Sequence, residues 1–559
     1  MHFGTNKNYF FMPGKSPPLS VQSRWPLLIF QLTLLVSIPT IASETRQIPA
    51  PQIHVAGEEL VGRWQEPGLA SFKSIPYAMA PTGERRWRPP LPAIARSGTL
   101  DHSTFKAACP QRPTNHAWYA NVARHFGIPE TGLGELETIS EDCLHLNVWT
   151  RNLSGAALQP VMVWIHGGSN IDGYSNEPNY DGQQLTSQGV VVVSINYRLG
   201  VLGFLAHPAL TAESAESSSG HWGFLDQIAA LKWIQANIHR FGGDAKRITV
   251  FGESAGAADI GTLLISPLAK GLFSQAIIQS GGYPINSFET LAEGELMGMQ
   301  LTDYLTIPAS DTQAKQMRAL HWKTLVYAVP KALDDYYFDA RIDEWLLYEP
   351  AALAFAEGRI SPIKLIIGAN ANENYMYIPD SADDKTVQAQ LDKFAPYQTK
   401  IAAQLASLTP RQQLDKIGSS NDFICPSIYI ATSQASAGLD TYLYYFARVR
   451  PDGERILAYH GAEIPYVFNT ADEWLPADKI DLYLQAQMLR YWTNFAKNGD
   501  PNSEHLPQWP KYDTQQQAYL SFGDTIKVNM RLNQVLCDTL NAVLDNRLDN
   551  YLKAHPSNE

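Results

Sequence analysis

Short apolar runs alternate with amphipathic stretches along this chain. Six runs are long and apolar enough to predict buried strands: residues 161–165, 190–195, 248–251, 276–278, 364–367 and 442–446. Residues 223–238 and 480–496 repeat apolar positions at helical spacing, which predicts amphipathic helices. Strands that alternate with helices indicate an α/β fold, with helices on both faces of a large, mostly parallel central sheet.

Three further stretches have helical patterns. Residues 291–359 and 381–415 interrupt the succession of strands, and we expect them to be helical insertions over the edge of the sheet that carries the candidate chemistry described below. Residues 532–552 are predicted to form a docking helix, because leucines recur every four residues at Leu532, Leu536, Leu540, Leu544, Leu548 and Leu552.

The length and net charge of the chain bear on its domain organisation and on the ligands it can bind. A chain of 559 residues with 45% hydrophobic positions can bury a large core. We find no internal repeat and no charge block that would mark a linker, so residues 43–559 are interpreted as one domain. The formal net charge of −12 argues against nucleic-acid binding through a basic surface.

The first 42 residues have the organisation of a signal peptide. Arg24 precedes the apolar stretch 27–38, and small residues lead to a predicted cleavage site near Ala42. The apolar stretch is shorter than the roughly 20 residues that span a membrane. We therefore expect a secreted or periplasmic protein with no stable membrane span once the leader is removed. A start at Met12 and retention of the segment as an anchor stay open.

The chain has four cysteines, and none of them forms a C-x-x-C pair: Cys109, Cys143, Cys425 and Cys537. This spacing argues against a zinc site or a thioredoxin-like redox motif. Together with an export leader it predicts disulfides, although four cysteines allow three pairings and the spacing does not choose among them.

One motif marks a candidate nucleophile. Residues 252–256 read G-x-S-x-G and lie where a predicted strand runs into a helix. A sharp strand-to-helix turn holds a serine hydroxyl at the edge of a sheet, and glycines allow the crowded backbone. Ser254 is therefore the candidate nucleophile.

A serine nucleophile needs a base, and the base needs an orienting acid. In α/β-hydrolase sheets the three follow in the order nucleophile, acid, base. His460 is the best candidate base, because it lies in a loop after a predicted strand with Gly461 beside it. Glu373 is the candidate acid, as the first carboxylate in the loop after strand 364–367. The other histidines after Ser254 lie in less suitable segments: His321, His505 and His555.

Backbone donors for an oxyanion are predicted in two places. The strand 161–165 leads into a turn of small residues, His166, Gly167, Gly168 and Ser169, whose N–H groups can approach a substrate. Ala255, directly after the candidate nucleophile, offers a further N–H group. Loss of one such donor typically raises the barrier by about 2.7–4 kcal/mol.

With these motifs in hand, the chain resembles the type-B carboxylesterases of the carboxylesterase/cholinesterase family from about residue 53 to 552. The landmarks are S-E-D-C-L-H-L-N-V at 140–148, V-W-I-H-G-G at 163–168, N-Y-R-L-G at 196–200, D-Q at 226–227 with A-L at 230–231, F-G-G-D at 241–244 and F-G-E-S-A-G at 251–256. The resemblance implies the α/β-hydrolase fold and hydrolysis of small carboxylic esters, without a metal or organic cofactor.

The resemblance also implies roles for individual residues. The catalytic triad would be Ser254, Glu373 and His460. The oxyanion hole would use the amides of Gly168, Ser169 and Ala255, with Gly167 shaping the loop. Glu253 would line the gorge beside the nucleophile. The implied disulfides are Cys109–Cys143, at the mouth of the gorge, and Cys425–Cys537, which would tie the C-terminal helix to the body.

Several departures limit what the resemblance implies. Ser169 stands where the family usually has a third glycine, and Asn374 follows the acid where glycine or alanine is usual. Residues 128–139 contain no aromatic to match the choline-binding tryptophan of cholinesterases, and Trp118 and Tyr119 lie too early in the loop. A choline ester is therefore not the first expected substrate. A choline esterase, a lipase-like esterase and a non-catalytic binding protein of the same fold stay as alternatives, and the oligomeric state is open.

Overall fold

All six predicted strands occur in the computed structural model of the chain, which describes residues 48–129, 136, 138–155, 157–333, 336–470 and 474–555. The predicted leader, residues 1–42, and most of the aromatic-free segment 128–139 lie outside the described residues. From Pro51 onward the chain forms one compact unit.

Within the described ranges the strands are β1 Gln52–Val55, β2 Glu58–Val61, β3 Arg63–Glu66, β4 Leu69–Pro76, β5 Thr99–Asp101, β6 His145–Thr150, β7 Gln159–Ile165, β8 Val191–Ile195, β9 Gly243–Glu253, β10 Gln275–Gln279, β11 Lys364–Asn370, β12 Thr441–Phe446, β13 Ala518–Phe522 and β14 Ile526–Met530.

The helices in the same ranges are α1 Thr114–His125, α2 Gln183–Ser187, α3 Gly200–Phe204, α4 Pro208–Thr211, α5 Trp222–Asn237, α6 Ala255–Ile265, α7 Leu291–Tyr304, α8 Gln313–Ala319, α9 Trp322–Ala332, α10 Ala351–Ala356, α11 Asp384–Leu391, α12 Gln398–Leu405, α13 Pro410–Ser419, α14 Cys425–Ser436, α15 Ile464–Val467, α16 Lys479–Asn498 and α17 Gln534–Ala554.

Eleven of these strands form one sheet in the order β14-β13-β12-β11-β10-β9-β7-β8-β6-β4-β3. Pairing is parallel from β13 to β8 and antiparallel at both ends. The parallel strands are covered on both faces, so they appear in the sequence as continuous apolar runs. Strands β1, β2 and β5 form a separate small sheet.

The predicted helices are present, and the two insertions reach the same edge of the sheet. In the second insertion, Asp415 of α13 accepts a hydrogen bond from the backbone N–H of Asn374 at 3.2 Å, just after β11. In the first, the carbonyl oxygen of Phe338 accepts one from Asn170 Nδ2 at 2.9 Å, just after β7. Both insertions therefore contact loops at the carboxyl ends of parallel strands, where α/β sheets bind ligands.

Two disulfides brace this arrangement. Cys109 and Cys143 close a loop with a sequence separation of 34 residues that contains α1. Cys425 and Cys537 join α14 to α17 across 112 residues of sequence. Helix α17 also buries Leu536, Leu540 and Leu544, so its docking rests on apolar packing as well as on the covalent link.

No helix among the described residues combines the length and the apolar character needed to cross a membrane.

Candidate active site

Ser254 lies at a sharp turn between β9 and α6, as the motif predicts. Its backbone has φ 54° and ψ −127°, a region that costs a non-glycine residue on the order of 1–3 kcal/mol. Its N–H group donates to the carbonyl oxygen of Gln279 on β10 at 2.9 Å. A Cβ at Gly256 would lie 2.1 Å from the carbonyl oxygen of Ile165, so only glycine lets α6 pack against the end of β7. The turn exposes part of the Ser254 side chain at the sheet edge.

The loop after β7 crosses directly over this turn. A Cβ at Gly167 would lie 2.7 Å from the carbonyl oxygen of Glu253 and 3.0 Å from Ser254 Cβ, so glycine permits the close approach. Gly168 and Ser169 have φ of 103° and 54°. Among the described residues, the N–H groups of Gly168 and Ser169 have no hydrogen-bond acceptor. They are free donors beside the N-terminus of α6, which is itself favourable for negative charge.

Glu373 and His460 lie in contact. Glu373 Oε2 is 2.6 Å from His460 Nδ1. Glu373 Oε1 accepts hydrogen bonds from Ser280 Oγ and from the N–H of Asn370, each at 2.6 Å. The Glu373 side chain is fully buried, and these three contacts fix the positions of both of its carboxylate oxygens. An acid held in this way fixes the orientation of the imidazole ring.

The other ring nitrogen of His460 faces Glu253. Nε2 lies 3.3 Å from Glu253 Oε1, and no hydrogen bond between these described residues joins His460 to the Ser254 hydroxyl. The structure therefore brings together Glu373, His460 and Glu253, with Ser254 adjacent to Glu253 in sequence. Catalytic hydrogen bonds are often long without substrate, so this geometry is compatible with a serine that engages the histidine on binding.

The pKa values of His460 and Glu253, which face each other, are both raised by their surroundings. Burial is the largest influence on His460 and lowers its pKa, but Glu253 and Glu373 outweigh it and raise the pKa to about 9. Burial raises the pKa of Glu253 to about 8, against the opposing effect of His460. Each carboxylate that keeps its charge favours the imidazolium form of His460.

A third buried acid, Glu463, belongs to the site but has no sequence signal beyond its position three residues after His460. Glu463 is 0% exposed and accepts hydrogen bonds from Gln279 Nε2 at 3.0 Å and Asn370 Nδ2 at 2.6 Å. Burial, followed by the charge of Glu373, raises the pKa of Glu463. Asn370 therefore contacts Glu373 through its backbone N–H and Glu463 through its side chain.

Helix α1 places an aromatic ring beside the loop of the candidate base, a position that the sequence spacing does not predict. Trp118 Nε1 donates to Tyr377 Oη at 3.2 Å. A Cβ at Gly461 would lie 3.4 Å from Trp118 Cζ2 and 3.6 Å from Glu253 Oε1. The Trp118 ring thus lies beside the residue that follows the candidate base and close to a buried carboxyl group.

His166 has a structural position rather than a catalytic one. Its Nδ1–H donates to the carbonyl oxygen of Gly167 at 2.9 Å, and its ring stacks on Tyr197 with centroids 4.6 Å apart. Burial lowers the pKa of His166 to about 4, so the ring is neutral and holds the loop. Within the described ranges, no group of three or more His, Cys, Asp or Glu side chains is arranged to hold a metal ion.

Comparisons with known proteins identify the family of the chain. Residues 44–540 match the model of the carboxylesterase family. The chain is 34% identical to fumonisin B1 esterase of Sphingopyxis macrogoltabida, over 82% of this chain and 84% of that protein. It is 34% identical to para-nitrobenzyl esterase of Bacillus subtilis, over 83% and 93%. A solved Geobacillus stearothermophilus carboxylesterase superposes with a TM-score of 0.75 at 28% identity, covering 88% of this chain and 99% of that one.

Proposed function

Because the chain belongs to the carboxylesterase family and is a carboxylic ester hydrolase, we propose that Ser254, His460 and Glu373 form its catalytic triad. The observation that carries this proposal is the 2.6 Å contact between Glu373 Oε2 and His460 Nδ1, formed next to a serine in a strained strand-to-helix turn. The carboxylate sets the tautomer in which Nδ1 carries the proton and Nε2 is free to accept one.

Acylation begins when an ester displaces His460 Nε2 from Glu253 toward Ser254. Nε2 takes the hydroxyl proton as Ser254 Oγ attacks the carbonyl carbon, and the carbonyl oxygen becomes an oxyanion. The N–H groups of Gly168, Ser169 and Ala255 are the donors for that oxyanion. The imidazolium then protonates the leaving alkoxide, so an alcohol departs and the acyl group stays on Ser254.

Deacylation repeats these steps with water. His460 Nε2 takes a proton from water, and the hydroxide attacks the acyl carbon through a second oxyanion. The proton returns to Ser254 Oγ as the carboxylic acid leaves. Glu373 retains its hydrogen bond to Nδ1 throughout and stabilises the imidazolium in both half-reactions.

Export is also part of the proposal. The leader pattern of residues 1–42 and the two disulfides support a protein that matures in an oxidising compartment, with removal of the leader near Ala42. N-terminal sequencing of the mature protein tests this. A first residue near Ser43 is expected, whereas an intact leader on exported protein would contradict cleavage.

A cationic ester, such as a choline ester, is the second candidate substrate. The Trp118 ring beside Gly461 and Glu253 is the observation that favours it, because an aromatic face and a nearby carboxylate both attract a quaternary ammonium group. Neutral esters remain the first choice, because burial raises the pKa of Glu253 to about 8 and so opposes its charge at neutral pH.

Turnover of a simple aryl ester by a Ser254→Ala variant tests the proposed triad. Loss of the nucleophile is expected to lower kcat by about 10⁴-fold or more. Ser274→Ala is the matched control, because Ser274 lies just before β10 at the opposite edge of the sheet and should leave kcat unchanged. Wild-type turnover by Ser254→Ala would refute the mechanism.

A further inference from the structure

The oxyanion hole proposed above draws its donors from two separate elements. Gly168 and Ser169 lie on the loop after β7, whereas Ala255 begins α6. Donors are effective only at about 2.7–3.1 Å from the developing oxyanion, so the spacing between this loop and this helix decides whether they act together. Gly168, Ser169 and Asn170 all have positive φ and lie outside any helix or strand. Other contacts must therefore hold this part of the loop in place.

A buried side chain near the end of this loop contacts three other segments. Asn170 is 0% exposed. Its Nδ2 donates to Asp259 Oδ1 at 3.1 Å and to the carbonyl oxygen of Phe338 at 2.9 Å. The Tyr197 hydroxyl lies 2.7 Å from the carbonyl oxygen of His166 and 3.2 Å from Asn170 Oδ1, and it donates its single proton to the nearer carbonyl oxygen. The carboxamide therefore has both of its N–H donors engaged.

Asp259 is the partner that links this loop to the nucleophile helix. It lies on α6, five residues after Ser254, and is 1% exposed. Its second oxygen accepts a hydrogen bond from Gln227 Nε2 of α5 at 2.5 Å. Burial raises the pKa of Asp259 to about 7, so its placement there carries a desolvation cost. The triad chemistry makes no use of this acid.

We propose that the hydrogen bond between Asn170 and Asp259 is a positioning contact, which sets the spacing between the Gly168 and Ser169 amides and the Ala255 amide. This inference rests on the proposed function, because it assumes attack by Ser254. Asn170 and Asp259 touch neither the substrate nor the reacting atoms. They act through the backbone, by holding the two halves of the oxyanion hole together.

Kinetics of four variants test the proposal. Asn170→Ala and Asp259→Ala are expected to lower kcat about 10- to 100-fold while KM changes less than about threefold, because the contact matters mainly in the transition state. The double variant should be no slower than either single one, since both remove the same contact. Asp259→Asn should retain near wild-type kcat, because its side-chain oxygen still accepts from Asn170 and Gln227 can turn its carboxamide to match.

Asn147→Ala is a matched control. Asn147 is a buried asparagine on β6 whose side chain likewise donates two hydrogen bonds, to Ser175 and Ser194, and it accepts one from the N–H of Ser74. It lies three strands away from β9 in the sheet. Its removal should lower the melting temperature as much as Asn170→Ala does, with kcat within about twofold of wild type.

Two results would overturn the positioning role. One is a folded Asn170→Ala variant with wild-type kcat, and the other is an Asp259→Asn variant as slow as Asp259→Ala. Labelling of the wild-type protein at Ser254 by a fluorophosphonate is measured in parallel. Failure to label Ser254 would refute the proposed function itself, whereas normal labelling with unaffected variants would refute only the positioning contact.

Discussion

Glu373 uses its two carboxylate oxygens for different partners, and His460 Nδ1 faces only one of them. Oε2 lies 2.6 Å from Nδ1, while Oε1 accepts from the Ser280 hydroxyl and the N–H of Asn370. Two donors at Oε1 leave the side chain no freedom to exchange its oxygens. The imidazole is thereby held in the tautomer that leaves Nε2 as an acceptor.

Glu373→Gln should abolish most of the activity without disturbing the fold. Oε1 of the glutamine stays with its two donors, so the amide NH₂ group faces His460 Nδ1 and forces that nitrogen to accept. Nε2 then carries the proton and is not able to take another from Ser254. We expect kcat to fall about 10⁴-fold. Retention of more than about a tenth of wild-type kcat, in a variant with the wild-type melting temperature, would contradict the assigned role of Glu373.

Glu253→Gln should move the pH profile of kcat/KM. The base works when neutral, so a pKa of His460 raised to about 9 places the acid limb of the wild-type profile above the ordinary histidine value of 6.5. Removal of the Glu253 charge weakens the stabilisation of the imidazolium and lowers that pKa. The limb is expected to move to lower pH by roughly 1–3 units.

Glu177→Gln is the control for this shift, because Glu177 is a buried acid near Glu253 that accepts hydrogen bonds from Tyr119 Oη and from the N–H of Tyr174. Its profile should overlie that of the wild type. A wild-type limb centred near pH 6.5 that Glu253→Gln leaves in place would show that Glu253 does not control the base.

The two disulfides should differ in their effect on activity. Replacement of either pair by serine is expected to lower the unfolding free energy by about 2–5 kcal/mol, more for the longer Cys425–Cys537 loop. At 25 °C the Cys425→Ser/Cys537→Ser variant should keep its kcat/KM, because buried leucines still dock α17. Loss of Cys109–Cys143 frees the loop that carries α1 and Trp118, so KM should rise. Equal kinetics for the two variants would contradict this difference.

Trp118→Ala tests the cationic-ester candidate. If the gorge binds a quaternary ammonium group, KM for a choline ester should rise roughly 2- to 30-fold relative to the uncharged 3,3-dimethylbutyl ester of the same acid. Trp233→Ala, on α5, is the control and should change neither KM. A wild-type enzyme with the same KM for both esters would remove the cationic candidate.

The parallel core and the three residues of the proposed triad each leave a local pattern in the sequence. Buried parallel strands are continuous apolar runs, and Ser254, Glu373 and His460 each follow such a run. The sequence pattern does not predict the outer strands β3, β4, β6, β13 and β14. Strands β4 and β6 are buried but mix polar with apolar residues, whereas β3 and β14 bury no residue and β13 alternates buried with half-buried positions. Both disulfide pairings came from the family resemblance, since spacing alone leaves three possibilities.

The rest of the site depends on contacts between residues distant in sequence. Trp118 lies beside Gly461 because the loop between Cys109 and Cys143 folds into helix α1. The number of residues between Cys109 and Trp118 does not predict this position. Asn170 and Asp259 lie 89 positions apart, and either one alone looks like an ordinary polar residue. Glu463 is indistinguishable in the sequence from a surface acid, although it is completely buried.

Intact-mass analysis after reaction with a fluorophosphonate, followed by peptide mapping, tests whether Ser254 is the nucleophile. We expect a single adduct on Ser254 that forms in proportion to the loss of ester turnover, and no adduct on the Ser254→Ala variant. Complete loss of turnover with the label on another residue, or full turnover after Ser254 has been labelled, would contradict it.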